Sequence, residues 1–492
     1  MLHNATAYVR HSSSARFRRI YYTPTDRQPP PRWPPVGCGA DQHVSTRQER
    51  VSQPAQAAPS VAGTRTLGLD LALYLGFALF ALVTALVSEF ATHRIWGCYA
   101  AVGYALAAAH TTWQFLRQHH GDARWWWSRW AAIATSFVLA LLAPLVHLIL
   151  RRRGGGDWHP DAAAWGAQPE VWVIERSASL LLHTGTPYAD VTALGRPPEV
   201  NDYTPYGPVM AVFGLPRALI EATGLDTSSI AMALTDARLV FAAVAIACVF
   251  ASLRLLGRPR VPIAAAQLAV VSPATALTWA VAGPDLAVLG LLVLALVFAV
   301  RGNTVLAGLC LALVISAKLT AAPAILVLLV LLWINRGARA ALVFTGALAG
   351  MTAAAHLPVI LLDPRAFVEH VIAFPAGAGV VESPAASPLP GHLIADTGPA
   401  GHTIALVLLA VAAVIIAAWI VLRPPTTGSD AALRIAVGLG TATLLTPATR
   451  WGYLVYPLVL LGARLCMPDL TSTSNVPDTP TARSTRPTRA GE

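Results

Sequence analysis

The chain is predicted to be an all-α polytopic membrane protein, and three observations predict it. Of its 492 residues, 55% are hydrophobic and only 12% charged, with a mean hydropathy of +0.56, whereas soluble domains carry roughly 25% charged residues. Apolar stretches recur from residue 69 to residue 466 at close to the ~17–25 residues a helix needs to cross the hydrocarbon core. Prolines, acids and aromatics collect instead in one long passage between residues 169 and 216. The expected architecture is a bundle of about 12 transmembrane helices with a large outer loop that carries short juxtamembrane helices.

Residues 1–66 are rich in Pro, Ser, Gln and Arg and hold no apolar run of spanning length. They read as a disordered basic tail, without the layout of a signal peptide. Three transmembrane helices are expected within 67–150, near 69–91, 96–116 and 130–150. Residues 151–228 form the first large outer loop. A transmembrane bundle follows over 229–361, with spans near 229–256, 261–282, 286–301, 303–317, 319–335 and 340–361. Residues 362–402, punctuated by Pro384, Pro388 and Pro390, form a second outer loop whose length suits a flexible flap. Spans near 403–422, 431–447 and 452–466 complete 403–466, and residues 467–492 are a second disordered tail, rich in Ser, Thr, Pro and Arg.

Orientation follows from the basic residues of short loops. With both termini cytoplasmic, the inner loops hold Arg117, Arg124 and Arg129, then Arg254, Arg258 and Arg260, then Arg301, Arg336, Arg339 and Arg423. The exception is Arg151-Arg152-Arg153, beside a long outer loop where the rule weakens. The net charge of +10 is thus spent on topology, and no nucleic-acid partner is expected. For the alternation to hold, segment 207–222, interrupted by Pro208 and Pro216, must not cross; it is expected to lie at the outer membrane surface. The five cysteines form no CxxC or Cys/His cluster, so neither a disulfide framework nor a metal site is indicated, and no cofactor is expected.

This topology brings most polar candidates to the outer face. Lys318, in SAKLTAAP, is the only lysine of the chain. A cation at the membrane edge is a site candidate, and snorkelling at a helix end is the structural alternative. Glu170 follows Pro169 at the start of a helix read as VWVIERSASLLL, where the helix dipole alone favours an acid by roughly 0.3–1 kcal/mol. Glu175 is five residues on, about 140° further round the helix, so the two carboxylates do not enter one site and paired-acid glycosidase chemistry is not indicated. Glu175 is equally suited to pairing with a nearby arginine. In NDYTPYGP, Asp202, Tyr203 and Tyr206 have the make-up of a sugar-sized cleft, although half of that signal is ordinary interfacial aromatic belt. In TPATRWGYLVYP, Arg450 stands beside Trp451, Tyr453 and Tyr456, where a guanidinium can grip a phosphate with two parallel hydrogen bonds. Asp285 and His370 sit at outer ends of spans and complete the candidates.

The succession EVWVIERSASLLLHTGTPY, NDYTPYGPVMAVFGLP, SPATALTWAVAGPD and AGLCLALVISAKLTAAPAILVLL resembles the polytopic GT-C superfamily of glycosyltransferases, closest to glycosyltransferase family 87, over about residues 130–466. The family includes polyprenyl-phosphate-mannose-dependent mannosyltransferases of the cell envelope. The resemblance implies a GT-C-like bundle in the plasma membrane with its active site on the extracytoplasmic face. It implies a hexosyltransferase that moves a hexose, mannose by family, from a polyprenyl-phosphate donor to a glycolipid or polysaccharide acceptor. The family's catalytic base is an acid in a pattern like Asp-x-x-Val-Tyr followed by Leu-Leu, Gly and Pro-Tyr. Anchored on Leu181-Leu182 and Pro187-Tyr188, the base falls at Glu170, with Glu replacing Asp and Ile174 in the place of Tyr; Glu175 is the second candidate. Lys318, Arg450 and His370 are then the donor-phosphate ligands, and Asp202, Tyr203, Tyr206 and Asp285 the substrate-binding residues. The competing reading is a transporter or flippase for a lipid-linked or small polar substrate, but the sequence has no evident internal repeat and its polar residues gather at one membrane face. A structural subunit is the least demanding reading, and it leaves the acidic, proline-punctuated loop without a use.

Overall fold

Every regular element among the described residues, which in the computed structural model are 61–117, 127–152, 165–224, 229–377, 379–381 and 384–467, is a helix. One isolated parallel bridge, Ala386 to Thr449, stands apart from them. A helix satisfies its own backbone, which is what a chain in hydrocarbon requires. Arg124, Arg153 and the tail arginines, counted above for orientation, lie outside the described residues, as does most of each tail. The first helix, Val61–Val87, begins inside the stretch assigned to the N-terminal tail and runs through Gly63 and Gly68 into the apolar run.

Among the described residues, seven helices are long and apolar enough to cross a membrane: Arg65–Val87, Arg129–Arg152, Ile230–Leu255, Pro284–Arg301, Leu319–Arg336, Ala338–Leu362 and Pro399–Leu422. An eighth candidate is the pair Ile263–Ala269 and Pro273–Val281, bent by 44°. Thr304–Ala317 and Trp451–Cys466 are apolar but shorter, and Ala91–Arg117 and Gly428–Leu445 are more polar helices. All the segments read as spans are therefore helical over most of their length, and seven to eight meet the length and hydropathy of a span by themselves.

Pro284–Arg301 is the axis of the core. Gly283, at φ +87°, makes the left-handed turn into it, Pro284 fits its first turn, and Gly302 at φ +81° ends it. It is buried over most of its length against Ala237–Leu255, Thr304–Ala317, Ala324–Arg336, Gly428–Leu445 and Val455–Cys466. A second apolar cluster joins Val61–Val87, Ala91–Arg117 and Arg129–Arg152 to Pro273–Val281. Two of its buried polar side chains are paired with backbone carbonyls. Trp96 Nε1 donates to Ala140 O at 2.7 Å, and Tyr104 Oη donates to Val271 O at 2.6 Å, taking up a carbonyl at the break of the bent pair.

The helix Pro169–Thr184 is fixed by charge. Glu175 accepts from both Arg152 guanidinium nitrogens and, at 3.0 Å, from Ala237 N. Arg152 also donates to Asp236 at 3.0 Å, and Asp236 accepts from Arg238 Nε and Nη2, each at 2.8 Å. Arg238 Nη1 closes the network on the carbonyls of Gly166 and Ala280, each at 2.9 Å. All four side chains are buried. Arg152, the apparent exception to the charge asymmetry, is thus consumed by two carboxylates.

Segment 207–222 holds no helix of spanning length, and one side of it is packed into the protein while Val212 and Leu219 stay exposed. Its 3₁₀ turn Pro208–Gly214 and helix Leu215–Ala222 bury Pro208, Met210, Phe213 and Arg217 against Pro169–Thr184. Glycines make this approach feasible: a Cβ on Gly214 would fall 2.6 Å from Ile174 O, and one on Gly207 2.1 Å from Ser316 O. Gly207 N donates to Ala317 O at 3.0 Å, which ties the segment to the residue before Lys318. The second outer loop is likewise no free flap where it is described. It folds into Pro364–Phe367, the π turn Val368–Ala373 and Pro390–Ala395. Thr449 N donates to Ala385 O at 2.8 Å and Ser387 N to Thr449 O at 3.0 Å, which pins it to the chain beside Arg450.

Asp236→Ala leaves buried Arg238 without a carboxylate and Arg152 with Glu175 alone. It is expected to cost about 3–5 kcal/mol, read as a large drop in the unfolding midpoint of the detergent-solubilised protein, whereas a change at exposed Glu221 leaves that midpoint within about 0.5 kcal/mol of wild type.

Candidate active site

Five of the nine residues singled out from the sequence line one cavity of about 520 Å³: Glu170, Tyr203, Tyr206, Lys318 and Arg450. The size falls within the roughly 300–1,000 Å³ of small-molecule sites. They arrive from four separate stretches of chain: the start of Pro169–Thr184, the NDYTPYGP turn, the gap between Thr304–Ala317 and Leu319, and the loop after Gly428–Leu445.

Glu170 lies in the first turn of its helix, with one Oε bonded and one unpaired. Oε1 accepts from Arg450 Nη1, while Oε2 is buried without a hydrogen-bond partner. An unpaired buried carboxylate oxygen is costly unless something binds it. The side chain of Glu170 is 17% exposed and that of Arg450 39%.

Lys318 sits where helix Thr304–Ala317 ends and the chain turns through Leu319–Ala321. Its ammonium does not snorkel outward: the residue is 6% exposed, bonded to Asp285 Oδ1 and 4.4 Å from the centre of the Tyr453 ring. Tyr206 and Tyr456 stand at 5.9 and 6.0 Å on other sides, so three aromatic faces and a carboxylate hold the charge. Asp285 does not line the cavity. It is the support behind Lys318 and also accepts from Tyr456 Oη at 2.7 Å.

The tyrosines of NDYTPYGP are walls with occupied handles. Tyr203 stacks on Phe374 with ring centres 4.3 Å apart, and its hydroxyl donates to Glu369 Oε1 at 3.2 Å. The Tyr206 carbonyl accepts from Tyr188 Oη at 2.9 Å, which braces the turn from behind. A lone histidine in an apolar span, His356 of TAAAHLPV, also lines the cavity and was not singled out; its Nδ1–H donates to Thr352 O at 2.9 Å. The signal available was the isolated polar residue inside a membrane helix.

The remaining candidates lie elsewhere. Glu175 faces the opposite way into the Arg152–Asp236 network, as the 140° separation from Glu170 requires. Asp202 turns away from the cavity and accepts from Arg196 Nη1, Arg196 Nη2 and Glu199 N, each at 2.8 Å. Burial pushes its carboxyl up, but these bonds hold it below the usual carboxylate range. Its role is to fold the loop. His370 was expected on the donor phosphate, but both its ring nitrogens are taken. Nδ1 accepts from Thr204 N at 2.8 Å, so the proton is on Nε2, which donates to Ala189 O at 2.8 Å. A histidine used this way braces the NDYTPYGP turn and has no donor left for a phosphate. Among the described residues, no three His, Cys, Asp or Glu side chains converge in a group that could hold a metal.

The family model for glycosyltransferase family 87 matches residues 203–447. The match takes in Tyr203, Tyr206, Asp285, Lys318 and His370, and leaves Glu170, Glu175, Asp202 and Arg450 outside it. No curated protein and no solved structure matches the chain.

Burial holds the His370 imidazole below its ordinary value, so the unfolded chain takes up a proton there before the folded one does. Stability at this site is therefore full above about pH 6.5 and declines as pH falls below it. His370→Asn, whose amide can still accept from Thr204 N, is expected to flatten the dependence of the unfolding midpoint on pH between 7.5 and 5.5; an identical slope in wild type and variant would show that His370 is not its source.

Proposed function

The chain belongs to glycosyltransferase family 87 through residues 203–447, and from that premise we propose that this membrane glycosyltransferase moves a hexose from a polyprenyl-phosphate donor to a hydroxyl of a cell-envelope glycolipid or polysaccharide. One observation carries the reading: a single cavity is lined by a carboxylate with an unpaired oxygen, two cations and aromatic walls. Those are the parts that group transfer from a lipid phosphate needs.

Glu170 Oε2 is the general base that takes the acceptor's proton, an effect typically worth ~10²–10⁴ in rate. Lys318 and Arg450 stabilise charge on the departing phosphate. Tyr203 and Tyr206 present ring faces to the sugar, with apolar residues such as Val371 and Ile315 of the same cavity beside the lipid. Mannose is the family's sugar and the first to be tried. Glu175 is assigned to structure and not to the base, since each of its oxygens already accepts from Arg152.

Helix direction supports an extracytoplasmic site in the plasma membrane. Pro284–Arg301 begins at Asp285, and Leu319–Arg336 begins beside Lys318; each ends in an arginine. The basic ends are thus opposite the cavity, the asymmetry expected of cytoplasmic ends. Nucleotide sugars are cytoplasmic, so a site on the other face calls for a sugar carried on a lipid. The bent pair Ile263–Val281 is the feature that most favours a transporter, and the assay separates the two, since a transporter moves its cargo without forming a glycosidic bond.

With a synthetic polyprenyl-phosphate mannose in reconstituted membranes, Glu170→Gln is expected to lower transfer by about 10²–10⁴ with the donor KM little changed, and Glu175→Gln to lower folded yield while leaving transfer per folded molecule within a few-fold. Retention of full transfer by Glu170→Gln overturns the base assignment. Because Lys318 and Arg450 carry the phosphate's charge, transfer is also expected to persist in excess EDTA; loss restored only by an added divalent ion would assign that charge to a metal.

A further inference from the structure

The two cations of the cavity are held in opposite ways. Lys318 is buried, bonded to Asp285 and enclosed by Tyr206, Tyr453 and Tyr456, with Asp285 fixed in turn by the Tyr456 hydroxyl at 2.7 Å. Moving its ammonium would strand a buried carboxylate, so it is a static charge. Arg450 is the reverse. Its backbone is clamped by the Thr449–Ala385 and Ser387–Thr449 bonds and by Trp451 N donating to Ser387 Oγ at 2.9 Å. Its side chain is 39% exposed, and its one hydrogen bond among the described residues is to Glu170 Oε1. A long side chain with a fixed root and a single partner can change partners at little cost.

Charge balance gives that freedom a use. Lys318 and Arg450 face Asp285 and Glu170, so the empty site is neutral. Resting on the transferase reading above, we propose that Arg450 is an exchanging counter-ion, paired with Glu170 in the empty site and passed to the lipid phosphate when donor binds and reacts. In the reaction, the acceptor oxygen bonds to the anomeric carbon as the bond from that carbon to the phosphate oxygen breaks. The electron pair of the broken bond stays on the phosphate, and the acceptor's proton goes to Glu170 Oε2. The donor enters as a singly charged diester and leaves as a monoester with a second negative charge, while Glu170 becomes neutral. The total charge is unchanged, but one negative charge has crossed from carboxylate to phosphate, and the guanidinium that balanced it follows. Before donor binds, the same pairing on Oε1 favours the ionised carboxylate, and passing the cation to the phosphate raises the proton affinity of Oε2 as the base is needed.

The test has one readout that depends on transfer and one that does not. In the pH profile of kcat/KM for a polyprenyl-phosphate sugar, Arg450→Ala is expected to move the acid limb to higher pH by about one unit, because Glu170 loses its cation, and to lower kcat by about 10²–10³. Free guanidinium should partly restore both. An unmoved acid limb with only the donor KM raised overturns the exchange and leaves Arg450 a phosphate ligand alone. The second readout is the carboxyl infrared band of Glu170, assigned by its loss in Glu170→Gln and titrated with and without polyprenyl phosphate. In wild type the lipid should shift the titration midpoint to higher pH, and in Arg450→Ala the midpoint should already be high and insensitive to the lipid. Equal lipid-induced shifts in both proteins, or none in either, overturn the proposal. The wild-type shift without transfer from any lipid-phosphate sugar supports the exchange and overturns the transferase reading on which it was built.

Discussion

The buried network of Arg152, Glu175, Asp236 and Arg238 is the constraint from which the site's geometry follows. An unpaired charge inside a low-dielectric bundle costs several kcal/mol, so each of these groups is tied to the place where its partners converge. Glu175 is thereby anchored to Arg152 at the end of Arg129–Arg152 and to the first turn of Ala237–Leu255. The helix Pro169–Thr184 has little freedom left to rotate or slide. Glu170, one and a half turns earlier on the other side of that helix, is aimed into the cavity by the same restraint.

Close backbone approach does for the rest of the site what charge does for this helix. Gly207 lets the NDYTPYGP turn meet Ser316 and Ala317, which sets Tyr206 against Lys318. His370 supports the turn from the stretch 362–402, and Tyr188 from the chain just after Pro169–Thr184. The bridge between Ala386 and Thr449 fixes the root of Arg450. The described parts of these loops are thus tied into the scaffold by backbone bonds, and Arg450 alone of the two cavity cations keeps a partly exposed side chain. A preorganised site with one mobile charge suits chemistry in which a charge must move.

Much of this was legible before any coordinates. A first-turn acid after proline, an isolated lysine in an apolar chain and an arginine beside interfacial aromatics mark Glu170, Lys318 and Arg450, because ionised groups at a membrane edge are expensive to keep without use. The fates of Asp202 and His370 were not legible, since each is decided by a partner that local pattern does not name: Arg196 in one case, the backbone of Thr204 and Ala189 in the other. The packing of segment 207–222 was not legible for a related reason: its apolar content suits a membrane surface and a protein interior equally, and its glycines act through the atoms they approach.

What the sequence by itself determined is the helical membrane class, the neighbourhood of the site and its chemical inventory, because hydropathy, helix length and the cost of charge in lipid act on residues one at a time. Only the tertiary structure decided which acid faces the cavity, which cation is buried and which is partly exposed, and which polar residues are support. Those properties belong to pairs of groups brought together from distant parts of the chain, 280 residues apart for Glu170 and Arg450, and a pair's energy depends on distance and burial that no single residue type carries.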